Sequence, residues 1–125
     1  MAGDILMYVG GGIITAWGVT HISPTKGVVA GFGDISQDNR RIIAMEWVGE
    51  GLTLCFLGLL AVFVTALGGR ETPVSLIVYR ASAAMLFVMA AWTQLTGART
   101  SILPIKICPF VKTAVGVMWL IGDTL

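Results

Sequence analysis

Residues 45–67 read MEWVGEGLTLCFLGLLAVFVTAL and decide the fold of this chain. No charged residue lies between Leu52 and Leu67. A helix crosses a bilayer with about 20 mainly apolar residues, and this stretch supplies them. Two carboxylates, Glu46 and Glu50, stand at its start, four residues apart and therefore on one helical face. The stretch predicts a membrane-spanning helix that carries two acidic side chains.

Three further apolar stretches outside this helix are long enough to cross a membrane. The sequence predicts four spans at about 4–22, 41–67, 73–95 and 103–125 in a single transmembrane domain, an all-α four-helix bundle. We expect the first stretch to be a span and not a signal peptide, because no Lys or Arg precedes it. Thr72-Pro73 starts the third span with a cap and a first-turn proline.

The sequence leaves two features open: the conformation of residues 24–40 and the start of the fourth span. Residues 24–40 are predicted to form an interfacial loop with a turn or short helix, since Gly31 and Gly33 permit a turn. The fourth span either starts at Pro104 and kinks near Pro109 or starts at Pro109 itself. The apolar residues between the two prolines favour the earlier start.

The composition excludes a soluble enzyme domain, a nucleic-acid-binding module and a disordered tail. Of the 125 residues, 56% are hydrophobic and only 12% are charged, whereas soluble domains have about a quarter of their residues charged. Too little polar surface is present to cover a water-soluble enzyme domain. The net charge of +1 gives no basic footprint for nucleic acid. The bilayer is the expected partner, with a homo-oligomer or a larger membrane complex as further options.

Basic residues in the loops predict the orientation. One side of the predicted bundle carries most of them: Lys26, Arg40, Arg41 and Arg99. The other side has only Arg70. Because positive loops stay in the cytoplasm, loops 24–40 and 96–102 are expected there and both termini outside. We expect a bacterial or archaeal inner (cytoplasmic) membrane.

Ionisable residues within the spans are the main indication of function, because each charge there costs at least about 2.5–3.5 kcal/mol. Away from the ends of the predicted spans, the charged residues are Glu46, Glu50, Arg80 and Lys112. Counting about 1.5 Å per residue puts Glu50, Arg80 and Lys112 at similar depth. We therefore expect one cluster, paired as Glu50–Arg80 and Glu46–Lys112 or the reverse, that either fastens the helices or serves a ligand, proton or substrate.

His21, at the end of the first span, belongs near this cluster. Glu46, Glu50 and His21 are the catalytic candidates, because they can exchange protons. His21 is the only histidine, so a bis-histidine haem within one chain is excluded. The two cysteines form no CxxC pair, and no metal site is expected.

Each span carries one tryptophan, which is typical of an interfacial belt. The alternative is a pocket wall, since Trp17 is one turn from His21 and Trp47 adjoins Glu46. The predicted ligand-binding set is Trp17, His21, Phe32, Glu46, Trp47, Glu50, Arg80 and Lys112.

The glycine-rich first span, the Pro-containing loop and the glutamate-bearing stretch 45–52 resemble the DoxX-like family of small four-helix membrane proteins. The resemblance covers most of the chain and implies its architecture. Members of that group include subunits of quinone-linked sulfur oxidation. The resemblance carries over no catalytic residue.

The leading functional hypothesis is binding of a lipophilic small molecule, quinone- or isoprenoid-like, in support of membrane redox chemistry. An enzyme that acts on a membrane lipid is a variant of this hypothesis. The alternatives are a structural or assembly subunit of a larger membrane complex and proton-coupled or small-ion transport by a homo-oligomer.

Overall fold

The computed structural model describes residues 1–125 and contains only helices. They are α1 (Ala2–Ile22), α2 (Thr25–Ala30), α3 (Gln37–Gly68), α4 (Pro73–Leu95) and α5 (Leu103–Thr124), with a 3-10 turn at Gly97–Arg99. All but the short α2 are long and apolar enough to cross a membrane. The protein is an all-α integral membrane protein with four spanning helices, as the sequence predicts.

Side-chain caps begin the two central helices. Ser36 Oγ accepts a hydrogen bond from the backbone N–H of Asn39 at 3.1 Å and starts α3. Thr72 Oγ1 accepts from the backbone N–H of Ser75 at 3.2 Å, and Pro73 occupies the first turn of α4. Such caps satisfy backbone donors that have no partner within the helix. The predicted start of the third span is therefore confirmed at the level of single hydrogen bonds.

The structure shows the course of the two segments that the sequence left open. Between α1 and α3 the chain forms the short helix α2 and then turns at Gly33, whose φ of +71° favours glycine. The last helix begins at Leu103 and continues through Pro109. This agrees with the earlier of the two starts considered for the fourth span.

Glycines bring α1 and α3 into backbone contact. Gly18 lies against Gly51, where a Cβ on Gly18 would be 2.6 Å from the Gly51 carbonyl oxygen. Gly11 lies against Gly58, with a corresponding distance of 2.9 Å. The two glycines on each helix are seven residues apart, so the contact repeats after two turns. In lipid, where no hydrophobic force draws helices together, small residues permit the close packing that holds them.

The contact between His21 and Trp47 fixes the register of α1 and α3. The ring centroids of these residues are 4.0 Å apart, so the end of α1 lies at the level of Trp47. Residues 37–46 of α3 therefore extend beyond the end of α1 by about 15 Å. Glu50 consequently lies only about one turn below the end of α1, much closer to the bundle end than the sequence count places it.

Apolar side chains fill the rest of the interior. The largest buried members of this core are Met7, Ile14, Leu54, Leu57, Tyr79, Leu86, Val115 and Trp119. Other large apolar side chains, including Phe56, Phe63 and Phe110, lie more than half exposed on the outside of the bundle. An apolar exterior suits contact with lipid chains.

An arginine locks the end of the bundle opposite α2. Arg70, in the connection between α3 and α4, is only 8% exposed. Its Nη1 donates to the carbonyl oxygen of Gly122 at 3.0 Å, and its Nε lies 3.5 Å from Asp4 Oδ1. The guanidinium thus ties the α3–α4 connection to the first turn of α1 and the last turn of α5.

Candidate functional site

Polar side chains from all four long helices converge near the end of the bundle that adjoins α2. They are His21 on α1, Glu50 on α3, Thr93 on α4 and Lys112 on α5. Lys112 is completely buried, and its Nζ donates to Glu50 Oε1 and, at 2.9 Å, to Thr93 Oγ1. A charge removed from solvent needs such partners. The ammonium group therefore joins α3, α4 and α5.

The His21 ring is held by Trp47. The two rings are stacked with an interplanar angle of 15°, and the indole Nε1 donates to the backbone carbonyl of His21 at 2.6 Å. Nε2 of His21 is buried and has no hydrogen-bond partner. It lies 3.8 Å from Glu50 Oε2, beyond hydrogen-bond distance. Because a buried polar atom without a partner is costly, this nitrogen is suited to a hydrogen bond with a ligand.

His21 and Glu50 both line a cavity of about 230 Å³. Three tryptophans form much of its wall: Trp17, Trp47 and Trp92. Trp17 is held by α5, since its Nε1 donates to Cys108 Sγ at 3.3 Å. Of the two interpretations of the tryptophans, the pocket wall describes these three, while Trp119 lies in the core.

The cavity combines a narrow set of chemical groups. It offers an imidazole nitrogen, a carboxylate already paired with an ammonium, and aromatic faces. No group of three His, Cys, Asp or Glu side chains lies close enough together to hold a metal ion. These groups can hydrogen-bond a carbonyl or hydroxyl and exchange a proton with it.

The structure brings most of the predicted site residues together. Glu50 pairs with Lys112, one of the pairings that the sequence left open. The residues that meet around the cavity are Trp17, His21, Trp47, Glu50 and, behind Glu50, Lys112.

Arg80 lies outside this cluster, so the expectation that it pairs with a glutamate was wrong. Its Nε donates to Asp123 Oδ2 at 2.7 Å, in the last turn of α5. Along α4 it is thirteen residues from Thr93, a separation of about 20 Å. Arg80 therefore belongs to the opposite half of the bundle, where Asp123 is the acid within reach.

Phe32 and Glu46 also lie outside the cavity. Phe32 follows α2 and is 55% exposed, so it forms no part of the wall. Glu46 is exposed, makes no ion pair and lies on an adjoining groove between α3 and α4. The reason is the length of α3, whose first turns, including Glu46, extend past the end of α1.

Sequence reasoning missed Thr93 and Cys108 as parts of the site. Thr93 accepts from the buried ammonium, and Cys108 positions Trp17. Thr93 directly follows Trp92 near the end of a span, which was a usable signal. Neither residue carries a charge, however, and a hydroxyl or thiol within a span often bonds only to its own helix.

The sequence matches no protein-family model, no curated protein and no solved structure. The resemblance to the DoxX-like family therefore stays a prediction from the residue pattern. Any functional argument for this chain rests on the cavity and the side chains around it.

Proposed function

We propose that this protein binds a lipophilic small molecule, quinone- or isoprenoid-like, whose polar head occupies the tryptophan-lined cavity. The observation that carries the proposal is the buried, unpartnered Nε2 of His21 beside the Glu50 carboxylate. In a membrane-spanning bundle, an ionisable residue that faces an internal cavity is a functional candidate by default.

The size of the cavity favours a head group over a whole lipid. Its volume of about 230 Å³ lies below the roughly 300–1,000 Å³ of pockets that enclose drug-sized ligands. A flat carbonyl-bearing ring fits the aromatic walls, since aromatic faces prefer stacked or edge-on contacts. A carbonyl oxygen on such a ring can accept a hydrogen bond from His21 Nε2 when that nitrogen carries its proton.

The proton chemistry of the site also suits a quinone-like head. His21 and Glu50 can each exchange a proton, and their facing atoms are 3.8 Å apart. Support of membrane redox chemistry is therefore the setting we propose.

Tryptophan fluorescence of the protein in lipid nanodiscs tests the proposal. Titration with duroquinone, a benzoquinone without a tail, is expected to quench Trp17, Trp47 and Trp92 saturably. His21→Phe retains a ring for stacking on Trp47 but removes Nε2. We expect it to weaken binding about threefold to tenfold, the effect of one lost hydrogen bond.

Tyr8→Phe is the matched control, because it removes one polar group from the same helix at a partly exposed site outside the cavity. This control variant is expected to bind duroquinone as the unmodified protein does. Equal affinity of His21→Phe and the unmodified protein, or quenching that never saturates, contradicts the proposed site. A protein that binds no quinone but purifies only within a larger complex supports the assembly-subunit alternative.

A further inference from the structure

We propose that the ligand enters the site sideways from the bilayer, between α3 and α4, and keeps a hydrocarbon chain in the groove there. The ligand class is thereby narrowed to an amphiphile with a polar ring and a single chain. This inference rests on the proposed function, because the chain belongs to the molecule whose head fills the cavity.

The groove between α3 and α4 adjoins the cavity. It has a volume of about 570 Å³. Four residues line both spaces: Trp47, Glu50, Trp92 and Thr93. We expect a chain attached to a head beside Glu50 to pass between these shared residues into the groove. Thr53 and Met89 line the part of the groove that lies deeper in the bundle.

Helix packing explains why the groove lies between these two helices. Glycines let the other neighbours approach closely: Gly18 packs against Gly51 between α1 and α3, and Gly116 lies against the ring of Phe87 between α5 and α4. The groove also contains a glycine, Gly49, but a Cβ on it would meet nothing within 4 Å. Close packing of α3 and α4 is therefore absent at the level of Gly49, although these helices meet nearer the other end of the bundle, where Thr65 and Tyr79 are hydrogen-bonded.

The shape of the groove is expected to determine which ligands can reach the cavity. The groove is apolar along Ile42, Ile43 and Met89 and polar at Glu46 and Thr53. A hydrocarbon chain gains no hydrophobic free energy on leaving lipid for the apolar side of the groove. Trp92 lines both the groove and the cavity and is 68% exposed. A chain can thus remain in contact with the bilayer while the head moves past Trp92 to His21. A bulky side chain in the groove is expected to obstruct chain-bearing ligands and to spare chainless ones.

Gly49→Leu tests this inference with two probes that share a benzoquinone ring. Decylubiquinone carries a decyl chain and duroquinone carries none. In the nanodisc fluorescence titration, Gly49→Leu is expected to weaken the binding of decylubiquinone about tenfold or more, because the leucine side chain would overpack the groove that the decyl chain occupies. Duroquinone is expected to bind with unchanged affinity. The matched control is Gly12→Leu on α1, whose Cβ also meets nothing within 4 Å and which lines neither space.

The outcomes of this experiment distinguish failure of the lateral-access inference from failure of the proposed function. Lateral access is supported if Gly49→Leu weakens the binding of decylubiquinone alone and Gly12→Leu binds both probes as the unmodified protein does. Unchanged binding of both probes, or equal weakening of both, overturns the inference and leaves the cavity as the head-group site. If neither probe binds the unmodified protein, the proposed function and the inference both fail.

Discussion

Replacement of Glu50 by leucine is expected to destabilise the bundle by about 3–5 kcal/mol, the cost of leaving a buried charge without its partner. Lys112 is 0% exposed, and its remaining partner after this change is the neutral Thr93 hydroxyl. Reversible unfolding in mixed detergent micelles, followed by helical circular dichroism, measures the change in the free energy of unfolding.

A second substitution distinguishes the ion pair from a simple loss of packing. Glu50→Leu combined with Lys112→Met removes both charges, and we expect stability to return to within about 1 kcal/mol of the unmodified protein. Glu46→Leu, one turn away on α3, is the control and is expected to change stability by less than about 0.5 kcal/mol, because Glu46 is exposed and makes no ion pair. A Glu50→Leu protein as stable as the control contradicts the buried ion pair.

Replacement of Gly58 by leucine is expected to destabilise the protein by about 3 kcal/mol or more, at the upper end of overpacking costs. A Cβ at this position would lie 2.6 Å from the carbonyl oxygen of Gly11 and 2.8 Å from Ile14 Cγ2. Because one of these neighbours is backbone, no rotamer change relieves the clash, and α1 must move away from α3. The same unfolding assay measures the loss.

The control for Gly58 is the open glycine Gly12, which lies next to Gly11 on α1. Gly12→Leu is expected to leave the free energy of unfolding within about 0.5 kcal/mol, as for a surface substitution away from special features. If Gly58→Leu and Gly12→Leu unfold alike, the backbone contact between α1 and α3 is not the source of stability that we infer.

The spans were predictable because their signals are local. The start of α4 illustrates this, since a cap at Thr72 and a proline at position 73 act on adjacent backbone groups. The start of α5 before Pro109 followed likewise from the apolar residues around it. The four-helix membrane bundle could therefore be predicted from the hydropathy of the spans and from the caps and prolines at their starts.

The ion pairs were harder to predict, because they depend on the register between helices. Counting along each span placed Arg80 and Glu50 at similar depth, yet α3 extends past α1 and Arg80 reaches Asp123. The pairing of Glu50 with Lys112, one of the predicted alternatives, is found despite this error, because both side chains reach the interior of the bundle. Phe32 was misplaced for a related reason, since the path of a loop after α2 is set by tertiary packing.

Photoaffinity labelling with an azido-benzoquinone that carries a decyl chain tests the central claim, that the cavity holds a ligand head, most directly. After irradiation in nanodiscs and proteolysis, mass spectrometry locates the labelled residues. Label is expected within residues 17–24, 47–50 and 92–108, which contain the residues that line the cavity, and excess decylubiquinone is expected to suppress it. Label on lipid-facing residues such as Phe56 and Phe110, unaffected by the competitor, contradicts the claim.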